Sequence, residues 1–299
     1  MSFKSILHPT DFSEQSMVAF NHALKLAVEQ KAKLILMYAM EENKHILDWE
    51  KFPKVRDTLY KWGLIKKDAS RQDIYNKLGV EVQKIIGRGE NIIDSVTGLV
   101  HDENIDLIVL TTHGSEGLPR WAHSSISEPI ARKALVPTLF IPYNSRPFVS
   151  EEDGELKLNE ILVPIDHKPN PQRAVEFGIN MGKIFGKSKA QIHIMHVLES
   201  KKPWSDNDMP EINLPDGEDC ILRFEYKRKT IDEEIMRVAD EIKTDLIVIA
   251  TEGHTGFLDV LYGSTSEQIL HKSKCPVLTI PSAQGEYLPR YYEEVSVNS

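Results

Sequence analysis

The sequence predicts an α/β chain of two tandem domains, each a five-stranded parallel sheet in the flavodoxin-like or Rossmann-like order 3-2-1-4-5. Three observations carry this expectation. Short apolar runs alternate with amphipathic stretches, the pattern of a parallel sheet covered by helices on both faces. The block ILHPTD at 6–11 returns as ILVPID at 161–166, an offset of 155 that matches Pro9 with Pro164 and Asp11 with Asp166. A second block, DLIVL at 106–110, returns as DLIVI at 245–249. Its offset of 139 carries Gly114 onto Gly253, Ser125 onto Ser264, Glu128 onto Glu267, Pro137 onto Pro276 and Pro142 onto Pro281.

In the first domain, residues 1–145, strands are predicted at 4–9, 33–39, 80–86, 106–111 and 137–142, with helices between them. After the second strand, the spacing of Val55, Leu59, Trp62, Leu64 and Ile65 within 52–78 reads as helix. A polar, acidic join over 146–158 with Gly154 inside it suits an exposed linker. The second domain, 159–282, has strands at 160–165, 190–197, 220–227, 245–250 and 276–281. It is 16 residues shorter between its two repeated blocks, and residues 201–219, with Pro203, Pro210 and Pro215 among acids, read as loop where the first copy has helix. In its third strand Leu222, Phe224 and Tyr226 alternate with Arg223, Glu225 and Lys227, the mark of a half-exposed edge. Residues 283–299 form a tail carrying Tyr287, Tyr291 and Tyr292.

Composition excludes several classes of function. A net charge of -9 argues against wrapping nucleic acid, whose affinity comes mostly from Lys and Arg on phosphates. Cys220 and Cys275 form neither a CxxC pair nor a zinc spacing, and two cysteines make no disulfide framework in 299 residues, which fits a reducing cytoplasm. No leader pattern and no apolar run of about 18 residues is present, so no membrane partner is expected. His193 and His196 are three apart on a strand and point to opposite faces, so they do not share a metal; no metal site is expected. The chain lacks a Walker A lysine, a complete GxGxxG and a GxSxG elbow, and no catalytic residue is assigned.

The PTD that ends strand one, the Gly-bearing loop after strand four and the Ser that opens the next helix resemble the universal stress protein (UspA) family, twice over nearly the whole chain. Nucleotide-binding members of that family carry G-x2-G-x9-G-[ST] after strand four. Glycines there let the backbone approach phosphate oxygens, and the following helix offers free N–H groups and a positive dipole end. In the second copy the motif falls on Ala250, Gly253, Gly263 and Ser264, with His254 and Thr265 alongside. By the same resemblance Asp166 and Val197 face the adenosine, Asp166 accepts a hydrogen bond from ribose or an amino group, and Pro164 counts among the binding residues. If the position of Ala250 needs positive φ, its Cβ costs about 1 kcal/mol or more. In the first copy the motif falls on Thr111, Gly114, Ser124 and Ser125, so two glycines are replaced while Asp11 is kept.

The resemblance therefore implies a cytoplasmic stress-response protein that takes ATP, with or without Mg2+, or a related adenine nucleotide, chiefly in the second domain. Asp11, Gly114 and Ser125 mark a degenerate first site. The alternative is an interaction scaffold that binds no nucleotide, motivated by Thr111, Ser124 and Ala250 at glycine positions. Weak ATP hydrolysis ranks last, because no general base is evident. Family members commonly pair through the fifth strand, and this implies that the apolar edges Thr138 to Ile141 and Val277 to Ile280 join within the chain as an intramolecular pseudo-dimer, with a homodimer as a further step.

Overall fold

The structure is a computed structural model that describes residues 2–41, 49–89, 91–112, 124–142, 145–186, 190–198, 208–215, 217, 219–252 and 264–282. Strand β1 (Ser5–Pro9) lies between β2 (Lys33–Glu41) and β4 (Leu107–Thr112), with β3 (Glu81–Gly89) beyond β2 and β5 (Thr138–Pro142) beyond β4, all parallel. The second copy repeats this with β6 (Glu160–Ile165), β7 (Gln191–Leu198), β8 (Cys220–Tyr226), β9 (Leu246–Thr251) and β10 (Val277–Pro281). Each half has the order 3-2-1-4-5, and the two five-stranded sheets fuse into one of ten strands. The seam is antiparallel: Phe140 stands opposite Val277, Leu139 opposite Leu278 and Thr138 opposite Thr279.

The central strands are buried on both faces, which is why they read as continuous apolar runs rather than alternating ones. A repeated carboxylate locks their start. Asp106 Oδ2 accepts the backbone N–H groups of Lys4 and Ser5 at 2.6 and 3.0 Å, and its repeat equivalent Asp245 accepts those of Asn159 and Glu160 at 2.7 and 3.1 Å. Helices α1 (Glu14–Gln30) and α6 (Gln172–Phe185), whose numbering follows chain order, cover one face and build one apolar core. Helices α4 (Ile92–Asp102), α5 (Ser124–Ala134), α7 (Ile231–Glu241) and α8 (Ser264–Lys272) cover the other.

The stretch 52–78 departs from the expected helix. It forms two short ones, α2 (Val55–Lys61) and α3 (Arg71–Leu78), separated by Gly63 at φ +68. Gly63 ends α2 because the N–H of Leu64 reaches back to the carbonyl of Leu59 at 3.0 Å, a closure that requires the left-handed conformation. In the second copy the described residues 209–215 run without helix or strand, and Asn213 exchanges two hydrogen bonds with Gln172 of α6. Strand β8 lies at the sheet edge as expected, its Arg223 and Glu225 paired to Glu241 and Arg237 of α7 while Leu222, Phe224 and Tyr226 are exposed.

The join at 146–158 is not a free linker. Its acids Glu151 to Asp153 are exposed, but Phe148, Val149 and Leu158, interspersed among polar residues, are buried. Phe148 packs edge-on against His22 at 4.6 Å, and Trp62 Nε1 donates to the Glu151 carbonyl at 3.2 Å. Among the described residues, no helix is long and apolar enough to cross a membrane. The tail 283–299 lies outside the described residues.

Candidate functional site

Where β6 and β9 separate at their carboxyl ends, chains leave the sheet to opposite sides and a crevice opens. In the second domain this crevice is a cavity of about 250 Å³. Its inner wall is apolar, made by Ile231 and Ile235 of α7, Ile249 of β9 and Ile269 of α8. Its rim is polar, with Asp166, His196, Thr251, Glu252, Thr265 and Ser266. Helices α7 and α8 hold the walls together through Lys272, whose ammonium donates to Asp232 at 2.7 Å. Burial acts to raise the Asp232 carboxyl, but hydrogen bonds from Lys272 and Thr230 outweigh it and hold the group below its usual value.

The residues singled out in the sequence fall into three groups. Pro164, Asp166, Val197, Ala250 and Thr265 all line the cavity, brought together from the ends of β6, β7 and β9 and the first turn of α8. Gly253, His254 and Gly263 lie outside the described residues, as does Gly114 of the first copy. Ser264 is the first residue of α8, and Ser125 is the second residue of α5. Ala250 carries no backbone strain, since it sits within β9 in register with Ile280 and is not among the residues with positive φ. The side chain at this family glycine position is thus accommodated by strand geometry.

Asp11 and Asp166 are equivalent in sequence and differently engaged. Asp11 Oδ1 accepts both the N–H and the hydroxyl of Ser13, at 3.0 and 2.6 Å, while Ser13 caps α1 by accepting from the Ser16 N–H at 3.1 Å. Asp166 Oδ1 accepts the N–H of the adjacent His167 at 2.7 Å and lines the cavity. The next positions diverge further. Phe12 and Tyr38 of the first copy stack with ring centroids 4.5 Å apart, Phe52 meets Phe12 edge-on at 5.1 Å, and Trp49 stacks on Phe52 at 5.4 Å. The offset of 155 and the strand register place His167 and His196 where those first two rings stand.

The structure adds residues that the sequence did not single out for this site. His196 is nearly buried, and its Nδ1 hydrogen-bonds the Ile165 carbonyl at 3.0 Å. A carbonyl only accepts, so Nδ1 carries the proton. His193 faces the other way, bonded to Glu160 at 2.7 Å and to Arg223 at 3.0 Å, as strand alternation requires. Ile231, Ile235 and Ile269 were hidden in ordinary helical periodicity. Nothing in one sequence separates an apolar residue that fills a core from one that lines a cavity.

Comparison with known proteins follows the same two-copy pattern. The model of the universal stress protein family matches residues 2–142 and 211–281. The universal stress protein E homolog of Haemophilus influenzae is 24% identical over 320 residues, covering 96% of this chain and all of that protein. The universal stress protein A homolog 1 of Coxiella burnetii is 44% identical over 139 residues, 40% of this chain and 94% of that protein. In three dimensions the chain is similar to a universal stress protein from Archaeoglobus fulgidus, with a TM-score of 0.61 at 19% identity, over 93% of this chain and 98% of that one. With both copies matched and the ten strands in the order the repeat requires, the chain belongs to the universal stress protein family.

Proposed function

We propose that this chain binds an adenine nucleotide, ATP in the first instance, in the cavity of its second domain, and that the first domain serves as architecture. The observation that carries the reading is the convergence of Pro164, Asp166, Val197, Ala250 and Thr265 on one crevice at the switch point of the sheet. At about 250 Å³ the cavity is near the lower end of the roughly 300–1,000 Å³ of small-molecule sites. Its isoleucine wall offers dispersion contact to a purine face, and Asp166 at the rim is an acceptor for ribose hydroxyls or an exocyclic amine. The first turn of α8 borders the same crevice, and its N–H groups and dipole favour phosphate. Mg2+ would travel on the phosphate oxygens with its own waters, an arrangement that needs no cage of protein ligands. In the first copy the stacked Phe12 and Tyr38 supply rings where the second supplies His167 and His196, which supports assigning the ligand to the second.

Calorimetric titration of the full chain with ATP tests this. One site per chain is expected. Ile269→Trp, which fills the apolar wall, should weaken binding at least tenfold, and Asp166→Asn should weaken it by roughly three- to tenfold through a poorer acceptor. Phe12→Ala should leave the affinity as it is. Absence of binding at millimolar ATP, or an Ile269→Trp protein that binds as well as the wild type, overturns the assignment.

A further inference from the structure

We propose that Asp166, His167 and His196 form a binding site for a divalent transition ion of the zinc type at the rim of the second-domain cavity. One ligand atom from each of the three lies within 4.8 Å of the others, and Asp166 and His196 line the cavity. Ligands held tetrahedrally at about 2.0–2.2 Å from zinc are about 3.3–3.6 Å apart, so an adjustment of roughly 1 Å closes the site around an ion. Asp166 and His167 are exposed and free of dense packing, and can make that adjustment.

Two of the three groups are prepared for the role by a bond they already make. His196 commits Nδ1–H to the Ile165 carbonyl, which fixes the tautomer and leaves the Nε2 lone pair for a metal, the arrangement that second-shell carbonyls give to ligating histidines. Asp166 uses one carboxylate oxygen to accept the His167 N–H, leaving the other for an ion. The two imidazole rings stand nearly perpendicular, 82° apart, with centroids at 5.8 Å, a disposition in which both can turn a nitrogen to one point. Two imidazoles and one carboxylate suit zinc, cobalt or nickel, whereas calcium and magnesium prefer sets made of oxygen.

The first copy acts as an internal contrast. It keeps the carboxylate as Asp11, but that group accepts from the N–H and hydroxyl of Ser13, the N-cap of α1, and the positions of the two histidines hold Phe12 and Tyr38 stacked on each other. The donor set is therefore a property of the second copy. Three protein ligands leave a fourth position, which water or an oxygen atom of a molecule in the cavity can take.

The test uses the full chain, dialysed against a chelator and free of nucleotide, titrated with Co2+ while its visible d–d absorption is followed. One saturable equivalent displaced by Zn2+ is expected. His167→Ala should weaken binding at least tenfold; this ring is exposed, so the variant keeps its fold, which far-ultraviolet circular dichroism checks. Glu267→Gln should leave Co2+ affinity unchanged, because Glu128, Glu267 and His271 form a separate cluster between α5 and α8 that could also take an ion. No saturable binding, binding indifferent to His167→Ala, or binding lost only in Glu267→Gln overturns the proposal. Since no nucleotide enters the titration, failure of ATP binding leaves this result standing, and the reverse holds as well.

Discussion

His8 and His22 are fully buried in the first domain, and burial pushes both down to about 4 from an ordinary 6.5. For His8 this outweighs the Val109 carbonyl at 3.0 Å, the Asp11 charge and Ser16, all of which favour the charged form. A histidine depressed in the folded state binds fewer protons than in the unfolded chain between those values. Stability is therefore intact above pH 6.5 and falls as the pH drops toward 4, by at most about 1.4 kcal/mol per pH unit for each group. Urea midpoints should decline steadily across this window, and His8→Gln with His22→Asn should flatten the decline. An equal slope in that double variant would show that carboxylates set the acid sensitivity. The candidate site was legible at this scale only in part. Pro164, Asp166, Val197 and Thr265 came from the repeat and the family motif, whereas His196 did not, because alternation tells which way a strand residue faces and not what it meets there. His167 looked like any polar loop residue until β7 placed His196 beside it.

Elements were more legible than side chains. Each of the ten strands lies within three residues of its expected bounds, since buried apolar runs flanked by turns leave little freedom and the duplication reads each strand twice. The stretch 52–78 was misread because helical spacing continues past Gly63, although a Gly after Lys61 and Trp62 is a stop signal in its own right. The join was misread because four acids outweigh Phe148 and Leu158 in composition but not in packing. Gly154 is the point on which the docking of this join turns. It has φ +68, and a Cβ built on it would stand 2.5 Å from Cδ2 of Trp62. Gly154→Ala should destabilise the chain by more than the roughly 1 kcal/mol of a left-handed alanine alone, because the Trp62 ring must move as well. Gly217→Ala supplies the comparison: its φ is +81 with nothing among the described residues within 4 Å, so the backbone cost is the one that applies. Urea denaturation of the two variants should rank them in that order, and equal midpoints would mean that the Trp62 contact with the join contributes nothing.

At the scale of the whole molecule, the seam decides whether there are two domains or one cooperative unit. Thr138, Thr279, Leu139 and Leu278 are all buried there, Thr279 Oγ1 donates to the Thr138 carbonyl at 3.3 Å, and Phe3 of one half packs against Phe177 of the other at 6.4 Å. Both apolar cores run across the seam, so neither half can unfold without exposing apolar surface on its partner. Calorimetry of the wild type should give a single transition whose van't Hoff and calorimetric enthalpies agree for the full chain. Thr138→Lys puts an ammonium among the buried residues of the seam, at the position paired with Thr279, and costs several kcal/mol. Because the cost falls on the contact between halves and not on the centre of either, the variant should melt in two resolved steps. A wild type that already melts in two steps would show that the seam is only a junction, and that the candidate site in the second half is held by that half alone.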